Sequence, residues 1–339
     1  KVGYIKISSF GATTHEEFSE ALVKLKKEKM QHLILDLQGN GGGYLKAAVD
    51  MANDFLQEGQ QIVYTEGVKS PRSEFNAMGK GQFQEGRLVV LIDEYSASAS
   101  EIVTGAVQDW DRGIVVGRRS FGKGLVQRPV PMPDGSMIRL TIARYYTPSG
   151  RCIQKPYGED VDYRKDLVDR FNKGELMHAD SIHFPDSLKF QTRMMGRTVY
   201  GGGGIMPDYF VPLDTMSYTK YHRELTAKGV IVNTNLIVID RYRKDYEKRF
   251  PDFKTYVKKF EIDETIPSII LAEAEKAGVQ YSEELYQASL PLIKVQLKAL
   301  IARDLWDMSQ FYELYNPTDE TVMKGLELIQ GKDFGISRR

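Results

Sequence analysis

Two rhythms of apolar and polar positions divide the chain. Up to about residue 154, short apolar runs at 2–7, 33–37, 61–64, 88–92, 114–116 and 138–146 alternate with stretches of three-to-four spacing at 15–28, 44–57 and 98–110. Short runs separated by longer periodic segments predict strands alternating with helices, hence an α/β domain. The first helical stretch places Phe18, Leu22 and Leu25 on one face. The runs at 33–37 and 88–92 are continuously apolar, as expected of strands covered on both sides of a sheet. Pro133-Asp134-Gly135-Ser136 lies between two extended runs; proline presets the entry dihedral and glycine accepts a positive one, so a hairpin turn is expected.

The rhythm then changes. From residue 155 to about 200 the pattern is polar and irregular, which predicts an insertion, and it ends in Gly201-Gly202-Gly203-Gly204. Beyond Pro212 the composition turns to Lys, Glu, Leu and Tyr in helical spacing, with Leu290, Ile293, Leu297, Leu300 and Leu305 on one face and Pro317 opening a last helix. The expected organisation is a core of residues 1–155 plus 201–212, an insertion at 156–200, and a mainly helical carboxy-terminal domain at 213–339. A chain that opens inside a strand pattern is expected to be a piece of something longer.

With 42% hydrophobic residues among 339, the chain can bury an ordinary core, and its 46 basic and 46 acidic residues leave no global field toward nucleic acid or an anionic membrane. Cys152 is the single cysteine, which rules out an intrachain disulfide and a thiolate metal cluster. No apolar run approaches the roughly 18 residues of a membrane span.

Three motifs follow predicted strands, where open α/β folds place their sites. Asp36-Leu37-Gln38-Gly39-Asn40-Gly41-Gly42-Gly43 runs into a helix. Its glycines allow backbone N–H groups to face an anion, or merely allow a tight strand-to-helix turn. Ser96-Ala97-Ser98-Ala99-Ser100-Glu101-Ile102 opens the next helix. A serine there exposes its hydroxyl beside a free N–H, yet Ser98-Ala99-Ser100-Glu101 is also a capping box that needs no catalysis. The third is Ser120-Phe121-Gly122-Lys123-Gly124-Leu125-Val126-Gln127. It mimics a nucleotide-binding loop, but Gly124 stands where that loop needs Ser or Thr for Mg²⁺. A lysine among glycines, Phe121 and Leu125 is instead a candidate for desolvation, and a desolvated amine is a usable general base.

Taken together, these residues resemble the carboxy-terminal processing (tail-specific) serine proteases. The resemblance rests on Gly3-Tyr4-Ile5 with Ser9-Phe10, the glycine run at 36–43, Ser-Ala-Ser-Ala-Ser-Glu-Ile at 96–102, Phe-Gly-Lys-Gly-x-Val-Gln at 121–127, and Thr141-x-Ala143-Arg144-Tyr145-Tyr146-Thr147-Pro148-Ser149-Gly150-Arg151. It implies a ClpP/crotonase-like α/β superhelix core, with Ser98 as nucleophile, Lys123 as base, Gln127 orienting the lysine, and the N–H groups of Ala99 and Gly42 as oxyanion donors. The implied reaction is endoproteolysis of polypeptide substrates near their carboxy termini through an acyl-enzyme, without metal or cofactor and without nucleic acid. The implied location is the bacterial cell envelope, periplasmic or membrane-associated. A PDZ domain or adaptor is expected outside this chain, and the helical region offers faces for homo-oligomerisation. Gln38 and Gly41 depart from the Arg and Pro common in relatives, and the usual compact run is split between Ile153-Gln154 and Gly204-Ile205-x-Pro207-Asp208. Two further expectations stay open: a non-hydrolytic peptide or ligand binder on the same scaffold, and acyl-CoA chemistry of the crotonase kind. A Ser/His/Asp triad is disfavoured because His15, His32, His178, His183 and His222 all lie outside the motifs.

Overall fold

The computed structural model describes residues 1–156, 165–263, 265–332 and 334–335. Residues 157–164 of the expected insertion lie outside the described residues, as do 264, 333 and 336–339 of the expected helical domain. Two compact units form: Lys1–Leu213 together with Lys324–Arg339, and Asp214–Met323.

The first unit opens with strand β1 (Val2–Lys6), helix α1 (Thr14–Lys27), β2 (His32–Asp36), α2 (Leu45–Asn53), β3 (Gln61–Gly67), β4 (Ser70–Asn76), β5 (Leu88–Ile92), α3 (Ala99–Asp109), β6 (Ile114–Gly117), β7 (Leu125–Pro131) and β8 (Met137–Tyr146). It continues with α4 (Asp166–Asn172) and the short strands β9 (Lys189–Gln191), β10 (Thr198–Tyr200) and β11 (Tyr209–Phe210). The main sheet is parallel, in the order β1-β2-β5-β6-β11. A second, antiparallel sheet runs β4-β3-β8-β7.

Leu88–Ile92 is buried at all five positions, which explains its unbroken apolar run. Phe18 and Leu22 of α1 pack into the same core as Met51 of α2 and Val103 of α3. Because β2, β5 and β6 are parallel, their carboxy ends share one edge of the sheet, and all three motifs emerge there.

The segment 166–200 folds into the first unit: β9 pairs with β10, and α4 sends Arg170 inward, 3% exposed. Lys324–Arg339 also belongs to this unit, although composition had grouped it with the helices from 213 onward. Gly325 sits against Val89 and Leu91, and Arg87 donates to the carbonyls of Ile329 at 2.9 Å and Gly331 at 2.6 Å.

The second unit is helical, with α5 (Lys220–Ala227), α6 (Val230–Arg249), α7 (Phe253–Lys259), α8 (Thr265–Lys276), α9 (Glu283–Leu305) and α10 (Met308–Tyr315); α11 (Glu320–Gln330) carries the chain back to the first. Its core gathers Tyr246, Phe250, Tyr256 and Phe260 with Ile293, Leu297 and Leu300. Among the described residues no helix is long and apolar enough to cross a membrane.

Candidate active site

The glycine loop and the serine turn are tied together by buried polar groups. Asp93, at the end of β5, accepts from the N–H of Gly39 at 2.9 Å and from the N–H groups of Tyr95 and Ser96 at 3.0 Å. Burial, and then the neighbouring Glu94, pushes the Asp93 carboxyl above its ordinary value. Asn40 is wholly buried and uses every face: Nδ2 donates to Ile7, Oδ1 accepts from Gly42 N–H, and its carbonyl accepts from Ala97 N–H and the Ser100 hydroxyl. The Ser96 hydroxyl donates to the Leu37 carbonyl at 2.8 Å. Two of the three serines of the motif are therefore structural, each with its hydroxyl committed and 0% exposed.

Ser98 differs from both. It is half-buried, its hydroxyl donates to no described residue, and its backbone sits at φ 57°, ψ −114°. A non-glycine residue there costs about 1–3 kcal/mol, and such strain is held by surrounding bonds that over-determine the turn. The result is a sharp strand-to-helix elbow that presents the hydroxyl at the start of α3. Ala99 is the first helical residue, and its N–H donates to no described residue. Gly42, at φ 96°, backs directly onto this turn: a Cβ built there would stand 2.6 Å from Ser98 Cβ and 2.7 Å from the Ala97 carbonyl oxygen. Only glycine lets the two loops close. The Gly42 N–H, expected to be an oxyanion donor, instead donates to Asn40 Oδ1 at 2.8 Å.

Glu101 joins the serine to the lysine. Its carboxylate, 1% exposed, accepts from Ser98 N–H and Lys123 N–H on Oε2, both at 2.9 Å, and from Gly122 N–H at 2.7 Å and the Ser120 hydroxyl at 2.5 Å on Oε1. One oxygen thus holds the Ser98 and Lys123 amide nitrogens within about 6 Å of each other, two hydrogen-bond lengths. Burial raises the Glu101 carboxyl while the four donors pull it down, and burial prevails. The capping box seen in the sequence is real, but it is one corner of this larger device. What sequence spacing could not show is that the same carboxylate reaches residues 19 to 22 positions away.

Lys123 is half-buried, and no carboxylate pairs with its ammonium among the described residues. Its peptide is pinned on both sides, by Glu101 at the N–H and by the Tyr145 hydroxyl at the carbonyl. The N–H cradle that resembled a phosphate loop is already occupied by Glu101, which removes that alternative. Gln127 stands on β7 opposite Thr141, just past a break in register; it is exposed and its side chain bonds no described residue. No histidine hydrogen-bonds Ser98 among the described residues; His15 pairs with Asp54 and His222 with Gln296.

Known proteins are similar to this part of the chain. Residues 1–163 match the model of peptidase family S41, and residues 221–307 match a family of unknown function, DUF8443. The first part of the chain is therefore similar to peptidase family S41 and to carboxyl-terminal-processing proteases. Over 154 residues the chain is 42% identical to a carboxyl-terminal-processing protease of Synechocystis sp., covering 45% of this chain and 36% of that one. It is 41% identical over 184 residues to the carboxy-terminal processing protease CtpB of Bacillus subtilis, covering 53% and 37%. Among solved structures, a photosystem II D1 C-terminal processing protease aligns at 37% identity with a TM-score of 0.42, covering 45% of this chain and 39% of that one. The chain spans little more than a third of the length of these curated relatives.

Proposed function

We propose that the first unit is a serine endopeptidase that cleaves polypeptides near their carboxy termini, with Ser98 as nucleophile and Lys123 as its base. The observation that carries this reading is the single Glu101 oxygen accepting the backbone N–H of both residues. A lysine side chain starting about 6 Å from the serine backbone has the reach to meet its hydroxyl.

In the proposed cycle the unprotonated Lys123 amine takes the Ser98 hydroxyl proton as the oxygen attacks the scissile carbonyl. The carbonyl oxygen becomes an oxyanion, stabilised by the unengaged Ala99 N–H at the positive end of α3. Collapse expels the new amino terminus, which receives the proton from Lys123, and leaves an acyl-serine. Water attacks that ester, giving its proton to Lys123, which returns it to the Ser98 oxygen as the ester bond breaks; the second product leaves with its new carboxyl group and Ser98 is restored. With Gly42 N–H engaged by Asn40, a second oxyanion donor must come from substrate-induced movement of the glycine loop. The assignment of Gln127 as partner of the lysine likewise requires β7 to bend at its register break.

The proposed substrates are unfolded polypeptides, and the bacterial cell envelope is the proposed location, on the strength of the family alone. The test incubates wild type, Ser98→Ala and Lys123→Ala with an unstructured protein and analyses fragments by mass. Wild-type cleavage lost in both variants is the expected result. Near-wild-type cleavage by either variant overturns the assignment.

A further inference from the structure

The loop that carries Lys123 has a second clamp besides Glu101, and it comes from the inserted segment. Arg170 is the buried residue of α4. Its Nη2 donates to the Arg119 carbonyl at 2.6 Å and its Nη1 to the Ser120 carbonyl at 3.1 Å. Arg119 donates to the Gly203 carbonyl at 2.7 Å and pairs with Glu175, whose carboxylate also lies 3.6 Å from Arg170. One turn earlier, Asp166 pairs with Lys155 at 2.8 Å; the Lys155 ammonium lies 3.7 Å from the centre of the Phe121 ring, and its backbone N–H donates to the Gly122 carbonyl at 2.9 Å. Burial lowers the Arg170 guanidinium to about 10, which leaves it charged at neutral pH.

We propose that α4 is a positioning element for the general base, with Arg170 as the positioning residue that holds the 119–123 loop against Glu101. The proposal rests on the reading of Lys123 as the base. The geometry separates the two clamps by chemistry: Glu101 takes the N–H groups of residues 122 and 123, while Arg170 takes the carbonyls of residues 119 and 120. The Ser120 N–H is tied to the Ile205 carbonyl, the Phe121 N–H to the Ser96 carbonyl and the Gly122 carbonyl to Lys155 N–H, whereas Arg170 is the donor to the carbonyls of residues 119 and 120, so its loss loosens the amino-terminal end of the loop that carries the lysine. The described part of the inserted segment thus acts as a buttress. Undocking of α4 would switch the peptidase off without touching the nucleophile.

The test compares wild type, Arg170→Ala, Arg170→Lys and the milder Asp166→Ala in the full chain, by steady-state cleavage of an unstructured protein and by amide hydrogen exchange. Displacing the amine by about 1 Å is expected to lower kcat in Arg170→Ala by about 10²-fold with KM within about twofold. Exchange at Gly122 and Lys123 is expected to rise at least about tenfold while that at Val89, Val90 and Leu91 stays put. Arg170→Lys should recover part of the rate, since one ammonium reaches one of the two carbonyls, and Asp166→Ala should give a smaller loss of the same kind. The proposal is overturned by an unchanged kcat, or by exchange that rises equally throughout the unit, which marks a merely structural role. If Arg170→Ala does not fold, Arg170→Lys and Asp166→Ala decide on the same criteria. If wild type cleaves nothing, the exchange measurements still decide whether α4 holds the loop, and it is the peptidase reading that fails.

Discussion

Replacing Glu101 by glutamine keeps the shape of the side chain and removes half of its function. The carboxylate receives four donors, two on each oxygen, and donates nothing. An amide turned either way satisfies two of them and aims its NH₂ at the other two. Each hydrogen bond to an ionised acceptor is worth about 1.5–3 kcal/mol, so two are worth about 3–6. The neutral amide avoids the desolvation of a buried charge, which offsets part of this and leaves an expected net loss of about 2–4 kcal/mol. The effect on catalysis is expected to be larger than the effect on folding. If the amide keeps Ser120 and Gly122, it releases the Ser98 and Lys123 amides together, and a displacement of about 1 Å is worth about 10²-fold in rate. Thermal unfolding measures the first quantity; kcat on an unstructured protein, taken well below the lowered midpoint, measures the second. A folded Glu101→Gln variant with kcat within twofold of wild type would refute the claim that this carboxylate sets the geometry of the pair.

Other substitutions test neighbouring parts of the argument. Gly42→Ala forces a Cβ to within 2.6 Å of Ser98 Cβ at φ 96°, so cleavage should be lost even where circular dichroism shows the fold retained. Ser96→Ala and Ser100→Ala each strip a hydrogen bond from a fully buried carbonyl and should lower stability by about 1–3 kcal/mol in denaturant titrations, while leaving measurable cleavage at low temperature. In the second unit, burial holds the His222 imidazole below its ordinary value. Its contribution to stability is then complete above about 6.5 and is lost as pH falls through the lowered folded value, so a His222→Gln variant should show a flatter acid limb in unfolding curves.

The parts of the fold legible in the sequence were those whose burial is symmetrical or periodic. The run at 88–92 could be read because both its faces are covered, and α1 because Phe18 and Leu22 recur at helical spacing. β4 went unseen because Ser70–Asn76 is mostly exposed and shows no buried apolar stripe, and β11 because two residues carry no period. α4 leaves Val168 and Phe171 exposed and buries an arginine, so its apolar positions do not mark the face it packs. At the site, Ser98 and Lys123 were proposed through family resemblance, whereas Glu101 was seen only as a cap. Its longer bonds depend on the adjacency of β5 and β6, which is a property of sheet order and not of spacing. Gly42 was assigned a donor role that its own neighbour, Asn40, absorbs.

The return of the chain to the first unit after Met323 has a consequence for how the molecule is made. Ile329 is fully buried, and Arg87, at the start of β5, finds its acceptors on residues 329 and 331. On the ribosome, the sheet that carries the serine turn therefore waits for a segment synthesised more than 200 residues later. Until then Val89 and Leu91 lack the cover that Gly325 brings. The strand that leads into the serine turn therefore gains its last cover only after the helical unit has been translated.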